Sequence, residues 1–505
     1  MPWVERHTEA VAHQVATGPK LWSMANVLRA AGVRPADYQA YILPILMYKV
    51  LADRNSDERD RVLAEFGQEF WDENRGYLEK TKFPAGCDFE SIRALEANLG
   101  ERLSDALVEL EEANDWLAGV FLNTDYGKLT DTAVTALLDV LAGMSFSRSQ
   151  LSDDALGSAY EYLLGQFADA AGAKAGQFFT PPSVAKLLAR IVGARPGESV
   201  YDPTCGSGGL LNQVVEDVVA RHGAEERGTV SLHGQELDEQ SAAIAKVNFY
   251  LHADQGDVKR GDTLLSPGFT VGDQLRRFDV AVANPPFGLE NTLAAGWATD
   301  RYGRNRWGSV KKKPGELAFV AHIASSLKGT AAGEDRTGRA AVVLPMGALF
   351  RGGVEAEMRK NLLEAGLVDA VIALPGGMFY NTSIPAAILV LRTAQRVAGE
   401  VLFVDATSTF VKQKKQNAFS EEQVSQVLRV LANRETVEAV RALSVTVADL
   451  LAADGDLSPS RWLPTEASAT VDVPAALAGL RRAEALASSA SVAFWAKLEA
   501  ADYAW

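Results

Sequence analysis

The chain has 505 residues, 47% hydrophobic and 23% charged, and its 65 acidic against 50 basic side chains give a net charge of −15. At roughly 150 residues per domain there is room for about three domains with sizeable cores, and no apolar run approaches the ~20 residues that a bilayer crossing takes. Two cysteines, Cys87 and Cys205, exclude a disulfide framework and a four-cysteine zinc site, and the charged stretch Met1 to Gln14 lacks the apolar core of a secretion signal, so a reducing cytoplasm is expected.

Residues 1–145 read as an all-α domain. Leu21, Met24, Ala25 and Leu28 recur at helical spacing, as do Tyr38, Tyr41, Ile42, Ile45 and Leu46 within Asp37 to Asp53, where Pro44 is expected to kink the helix. Further helices are predicted over Leu103 to Val120 and Asp131 to Leu141. The polar stretch Ser145 to Asp154, a helix Ala155 to Ala168 and a loop from Ala171 to Pro182 follow. Short apolar strands then alternate with helices: Ser199 to Tyr201, Val230 to Gly234, Phe278 to Ala283, Ala340 to Leu344, Val368 to Leu374, Ala386 to Leu391 and Val401 to Val404. Strands separated by helices imply right-handed crossovers, hence an α/β region at 146–450 with a doubly wound, mostly parallel sheet. From Leu451 the chain returns to helix, so 451–505 is expected to be a helical tail, Ala-rich from Pro474 to Ala501.

Chemistry concentrates at strand ends. Val200-Tyr-Asp-Pro-Thr-Cys-Gly-Ser-Gly-Gly209 closes a strand with a glycine-rich turn and opens a helix. Glycines let backbone approach a ligand, and a helix N-terminus adds exposed N–H groups. A tight strand-to-helix turn would need the same residues. A nicotinamide fingerprint is disfavoured, because its third glycine position is Leu211 here. Glu236 closes the next predicted strand, where a carboxylate can accept hydrogen bonds from ribose hydroxyls, and Gly261-Asp-Thr-Leu264 follows.

The decisive stretch is Asp279-Val-Ala-Val-Ala-Asn-Pro-Pro-Phe287. An amide, two prolines and an aromatic cost ladder hydrogen bonds, so they must lie just past a strand end. An exocyclic amine on an aromatic ring is a poor nucleophile because its lone pair is delocalised. Acceptors on both of its N–H bonds pull the nitrogen toward tetrahedral geometry. The side-chain oxygen of Asn284 and the carbonyl of Pro285 are two such acceptors, Pro285 and Pro286 stiffen their backbone, and Phe287 offers a flat face for a flipped base.

With Gly176-Gln-Phe-Phe-Thr-Pro181, these motifs resemble the amino-group DNA methyltransferases in which the cofactor motifs precede the catalytic one. Leu21-Trp-Ser-Met-Ala-Asn-Val-Leu-Arg29, Tyr41-Ile-Leu-Pro-Ile-Leu46 and Pro375-Gly-Gly-Met-Phe-Tyr-Asn-Thr-Ser-Ile-Pro385 extend the likeness, over roughly Leu21 to Asp405, to the modification subunit of type I restriction-modification systems. The resemblance implies a Rossmann-like domain that methylates adenine N6 in double-stranded DNA with S-adenosylmethionine. It also implies a partnership with a second copy of the subunit and a specificity subunit that reads the sequence, with a restriction subunit as an optional further partner. It implies cofactor contacts at Phe178, Thr180, Asp202, Gly206, Gly208, Glu236 and Asp262, the methionine end near the first two and the adenosine near the last two. Asn284, Pro285, Pro286 and Phe287 would hold the base.

An acidic chain must meet DNA through a local basic patch. Arg301, Arg304, Arg306, Lys311, Lys312 and Lys313, interleaved with Tyr302 and Trp307 and free of acidic residues, form the main candidate; Lys412, Lys414 and Lys415 form a weaker one. A solvated face would carry such a run equally well. Two other functions fit the central motif: methylation of a protein glutamine or an RNA base, and a non-catalytic scaffold that keeps the fold. The helical N-terminal domain and the tail disfavour the former, the intact motifs the latter. The apolar side chains of the tail, Leu477, Leu480, Leu486, Phe494 and Leu498 among them, suit docking of a specificity subunit.

Overall fold

The computed structural model describes residues 17–463, apart from 79–80, 122–123, 148–149, 152–155, 157–158, 161, 164–165, 168–179, 253–254, 291–292, 330–336, 380–383 and 414–415; in the tail it describes 481–482, 484–485 and 488–491. Phe178, Lys414, Lys415 and most of the predicted tail lie outside the described residues. Among the described residues no helix is long and apolar enough to cross a membrane.

The N-terminal region is helical. Met24–Ala30 buries Met24, Ala25 and Leu28, as its spacing predicts. The next helix differs from expectation: it runs Tyr38–Leu78, with its break at Gly67 (φ 82, ψ 175), and Pro44 sits inside it. Proline at 44 cannot donate to the carbonyl of Ala40 one turn earlier. That carbonyl instead accepts from the Thr124 hydroxyl at 3.0 Å, so it is not left unpaired. The expected helix to Val120 ends early, at Glu112. Just beyond, the Asn114 amide is drawn to the carbonyls of Lys82 and Leu110, and a 3-10 turn Asp115–Leu117 follows. Helix Asp131–Ala142 starts at its Thr130 cap, whose hydroxyl accepts from the Ala133 N–H.

The region from Ser199 to Thr446 is built on a nine-stranded sheet. In chain order the strands are β1 (Ser199–Asp202), β2 (Ser231–Glu236), β3 (Gln255–Arg260), the ribbon strands β4 (Thr270–Val271) and β5 (Gln274–Leu275), β6 (Val280–Ala283), β7 (Arg339–Pro345), β8 (Val368–Ala373), β9 (Ala386–Arg392), β10 (Glu400–Asp405), the ribbon strands β11 (Val411–Lys412) and β12 (Asn417–Ala418), and β13 (Arg441–Thr446). The order across the main sheet is β13-β10-β8-β9-β7-β6-β1-β2-β3. From β7 to β3 all pairings are parallel; β9 runs antiparallel to both β7 and β8, and β13 antiparallel to β10.

Strands β3 and β13 have no counterpart in the sequence reading. Both are edge strands, half exposed, so neither Gln255–Arg260 nor Arg441–Thr446 carries the apolar run of a central strand. Successive residues of β6 feed opposite faces, Val280 and Val282 into one core and Ala281 and Ala283 into another, which is the signature of helices covering both faces. The helical region joins through helix Glu239–Leu251: its Ile244, Val247 and Leu251 belong to the N-terminal core, and Tyr250 stacks on Trp116 at 5.1 Å.

Candidate active site

After β1 the chain moves outward to β2 and β3, then returns to the other flank of β1 with β6. The order of strands reverses at this pair, and open α/β sheets bind their ligands at such a point, beyond the carboxyl ends of the strands. The register Val200↔Val280 and Tyr201↔Ala281 brings the turn after Asp202 and the motif after Ala283 to the same edge.

The glycine turn is held by backbone bonds from Cys205 N–H to Gln235 at 3.0 Å and from Gly208 N–H to Cys205 at 2.8 Å. Gly206 (φ 53) donates its N–H to Glu236 Oε2 at 2.9 Å, and Glu236 Oε1 accepts from Asp238 at 2.8 Å. Burial raises the Glu236 carboxyl. Asp202 is 2% exposed, with Oδ1 accepting from the Thr204 N–H at 2.8 Å. Burial, with the Glu236 charge adding to it, pushes its carboxyl up to about 7 against the partial offset of Thr204. Gly208 (φ 80) answers to a different neighbour: a Cβ there would lie 2.9 Å from the Phe249 ring, so its close approach is to helix Glu239–Leu251. The Asn248 amide donates to the Ser207 carbonyl from the same helix.

Asp262 caps its own turn, Oδ1 accepting from Leu264 and Leu265 at 2.8 and 3.1 Å. Thr263 bonds the Pro203 carbonyl at 2.6 Å, which ties this turn to the glycine turn. Two residues outside the predicted cofactor contacts support it. Gln235, fully buried at the end of β2, accepts from Gly268 and donates to the carbonyls of Gly261 and Ser266. Arg304, placed among the DNA contacts by its position in a basic run, is 1% exposed. Its guanidinium grips Asp300 at 2.7 Å and donates to the Leu264 carbonyl at 2.8 Å. The structure therefore removes Arg304 from any DNA-facing set: burying a cation requires that its donors be matched inside, and here they hold the Asp262 turn.

Asn284 donates Nδ2 to the Thr180 hydroxyl at 3.2 Å, an orientation that turns Oδ1 into the acceptor. Pro285 is buried, while Asn284, Pro286 and Phe287 are partly exposed. The Phe287 ring lies 6.0 Å from that of Phe379 at 60°. Phe379 was within reach of sequence reasoning, since it belongs to Pro375-Gly-Gly-Met-Phe, but nothing local ties that segment to residue 287. Of the remaining basic residues, Arg301, Arg306, Lys312 and Lys313 are exposed. Lys311 is paired with buried Glu355 at 3.0 Å, and Lys312 reaches Glu290 at 2.8 Å.

A family model described as N-6 DNA Methylase matches residues 151–470, and one described as HsdM N-terminal domain matches residues 17–141. The chain belongs to the N-6 DNA methylase family. This methylase is 29% identical to the type I restriction enzyme MpnII methylase subunit of Mycoplasma pneumoniae, with 89% of each chain covered. It is 26% identical to the MjaIX methylase subunit of Methanocaldococcus jannaschii, covering 88% of this chain and 83% of that one. Among solved structures, a type I restriction-modification methyltransferase subunit from Streptococcus thermophilus superposes with a TM-score of 0.73 at 28% identity, covering 89% of this chain and 99% of that one. The family implies S-adenosylmethionine as methyl donor. The residues present fit such a ligand: the buried Asp202 carboxyl ends β1, where it can face a cationic group, Glu236 ends β2, where it can meet ribose hydroxyls, and Gly206 holds a positive φ in the turn after β1.

Proposed function

We propose that this methylase is the modification subunit of a type I restriction-modification system and methylates N6 of an adenine flipped out of double-stranded DNA. The observation that carries the reading is Asn284, oriented by Thr180, at the end of the strand beside the one that ends in the Asp202 turn. When bound, S-adenosylmethionine supplies the methyl group. Asp202, Gly206, Glu236 and Asp262 would hold it, with Thr180 and Phe178 at the methionine end. Asn284 Oδ1 and the Pro285 carbonyl accept the two N–H bonds of the adenine amine, which localises the lone pair on nitrogen. Pro286 stiffens the motif, and Phe287, with Phe379 beside it, walls the base. Arg301, Arg306, Lys312 and Lys313 supply phosphate contacts.

Those four exposed cations on a chain of net charge −15 support weak, salt-dependent DNA binding rather than sequence reading. Residues 451–463 pack into the chain's own core, so a specificity subunit docked on the Ala-rich tail from Pro474 to Ala501, with a second modification subunit, supplies the rest, in keeping with relatives named as subunits. Nucleoside mass spectrometry of DNA methylated by the complex should detect N6-methyladenine. Asn284→Ala should slow methyl transfer by roughly a hundredfold while cofactor affinity stays within a few-fold. Product found only as N4-methylcytosine, or near-normal turnover by the variant, refutes the assignment.

A further inference from the structure

The loop that follows Phe287 is fastened to one short segment at three points. Gly288 donates its N–H to Glu316 Oε1 at 2.8 Å, Gly315 donates to the Leu289 carbonyl at 2.9 Å, and Lys312 pairs with Glu290 at 2.8 Å. Glu316 is 2% exposed and opens helix Glu316–Ser325, all of whose residues are buried. A carboxylate in such a place persists only where it is matched by charge and hydrogen bonds. Its second oxygen accepts from Arg351 at 3.2 Å. Arg351 also grips Glu355 through bonds of 2.8 and 3.0 Å, and Lys311 approaches the same carboxylate at 3.0 Å. Two buried carboxylates thus face two cations, and Arg359, itself buried, holds the Arg351 carbonyl at 2.8 Å.

We infer that Glu316, locked by Arg351, is a positioning residue for methyl transfer that fixes the loop carrying Pro285 and Phe287. Gly288 has φ 67, a region in which side-chain-bearing residues are strained, and no heavy atom lies within 4 Å of where its Cβ would be. Space does not demand glycine there; the turn that aims the N–H at Glu316 does. A hydrogen bond to an ionised acceptor is about twice as strong as a neutral one, so the carboxylate, rather than any acceptor of that shape, sets the loop. The same network ends on Lys311, beside exposed Lys312 and Lys313, and so joins the base-holding loop to the basic segment. The inference rests on the reading of Asn284 to Phe287 as the motif that holds the base.

The test uses the complex purified from its native host, tritiated S-adenosylmethionine and unmethylated genomic DNA. Glu316→Gln keeps volume and an acceptor oxygen but loses the charge. It should lower kcat at least ~10-fold, the order expected when a reacting group is misplaced by a fraction of an ångström. The KM for S-adenosylmethionine should stay within about twofold, because the variant leaves the glycine turn untouched. Hydrogen exchange at the Gly288 amide should accelerate. Gly288→Ala, which leaves every ion pair in place, should lower kcat comparably. Wild-type kcat in Glu316→Gln, or a lowered kcat with unchanged exchange at Gly288, overturns the inference. If Glu316→Gln fails to fold, normal turnover by Gly288→Ala overturns it alone. Asn284→Ala run alongside separates the two ideas: turnover surviving that change removes the base-holding reading, whereas its loss with unaffected Glu316 and Gly288 variants removes only the role of Glu316.

Discussion

Asp202→Asn should uncouple cofactor affinity from pH. Burial pushes the Asp202 carboxyl up from the usual 3.8 to about 7. A cationic ligand needs the ionised form, so the apparent dissociation constant is the intrinsic one divided by the ionised fraction. That fraction is about one tenth at pH 6 and about one half at pH 7, and affinity for S-adenosylmethionine should therefore rise about fivefold between them. The α-amine of the ligand titrates near ~7.7 and stays largely cationic across this window. Stability moves the other way. Because the folded pKa lies above the unfolded one, the folded state binds more protons between pH 4 and 7, and the ligand-free protein loses stability as pH rises through that range. Glu236, also raised by burial, acts in the same direction, so the informative quantity is the difference between wild type and variant. Asn at 202 carries no proton. Its binding profile should be flatter, its affinity at pH 7.5 lower by roughly thirtyfold, about 2 kcal/mol, and its ligand-free melting temperature should fall less between pH 5 and 7. Titration calorimetry at four pH values and thermal unfolding without ligand measure both. A wild-type affinity that is flat from pH 6 to 7, or an identical slope in the variant, would refute the reasoning.

Arg304→Ala should act on folding: it strands buried Asp300, 3% exposed, at a cost of about 3–5 kcal/mol, readable as a lowered midpoint in urea. Charge reversal at Arg301, Lys312 and Lys313 should instead leave that midpoint nearly unchanged and weaken DNA binding, with the salt slope reduced by about one for each phosphate no longer neutralised; DNA affinity equal to wild type would clear these residues of that role. Gly208→Ala brings a Cβ to 2.9 Å from Phe249 at φ 80 and should cost about 1–3 kcal/mol, partly recovered by Phe249→Leu if the clash is the cause.

Much of the catalytic region was legible because its signals are local. Central strands such as β6 and β8 are buried on both faces and read as apolar runs, and the motifs after β1 and β6 announce their strand ends by prolines that cannot continue a ladder. Edge strands carry no such run, which hid β3 and β13. The antiparallel direction of β9 was equally hidden, since an apolar segment reads alike in both directions. Pro44 was legible as a proline but not as a tolerated one, because its remedy, the Thr124 hydroxyl, comes from far along the chain.

Charge shows the division most sharply. Which residues the chain offers, an amide and an aromatic past one strand, carboxylates past two others and a run of cations, is a property of the sequence alone, because turn chemistry and strand burial act over a few residues. Which of those charges remain available is settled by folding. Arg304 and Lys312 stand in one basic run, yet the first is enclosed and bonded to the Asp262 turn, while the second is 73% exposed beside the loop after Phe287. Burial removes water from a charge and forces it to find partners wherever the chain brings them: Asp300 stands four residues before Arg304, but the Leu264 carbonyl, 40 residues back, is reached only by packing between segments that the sequence keeps apart.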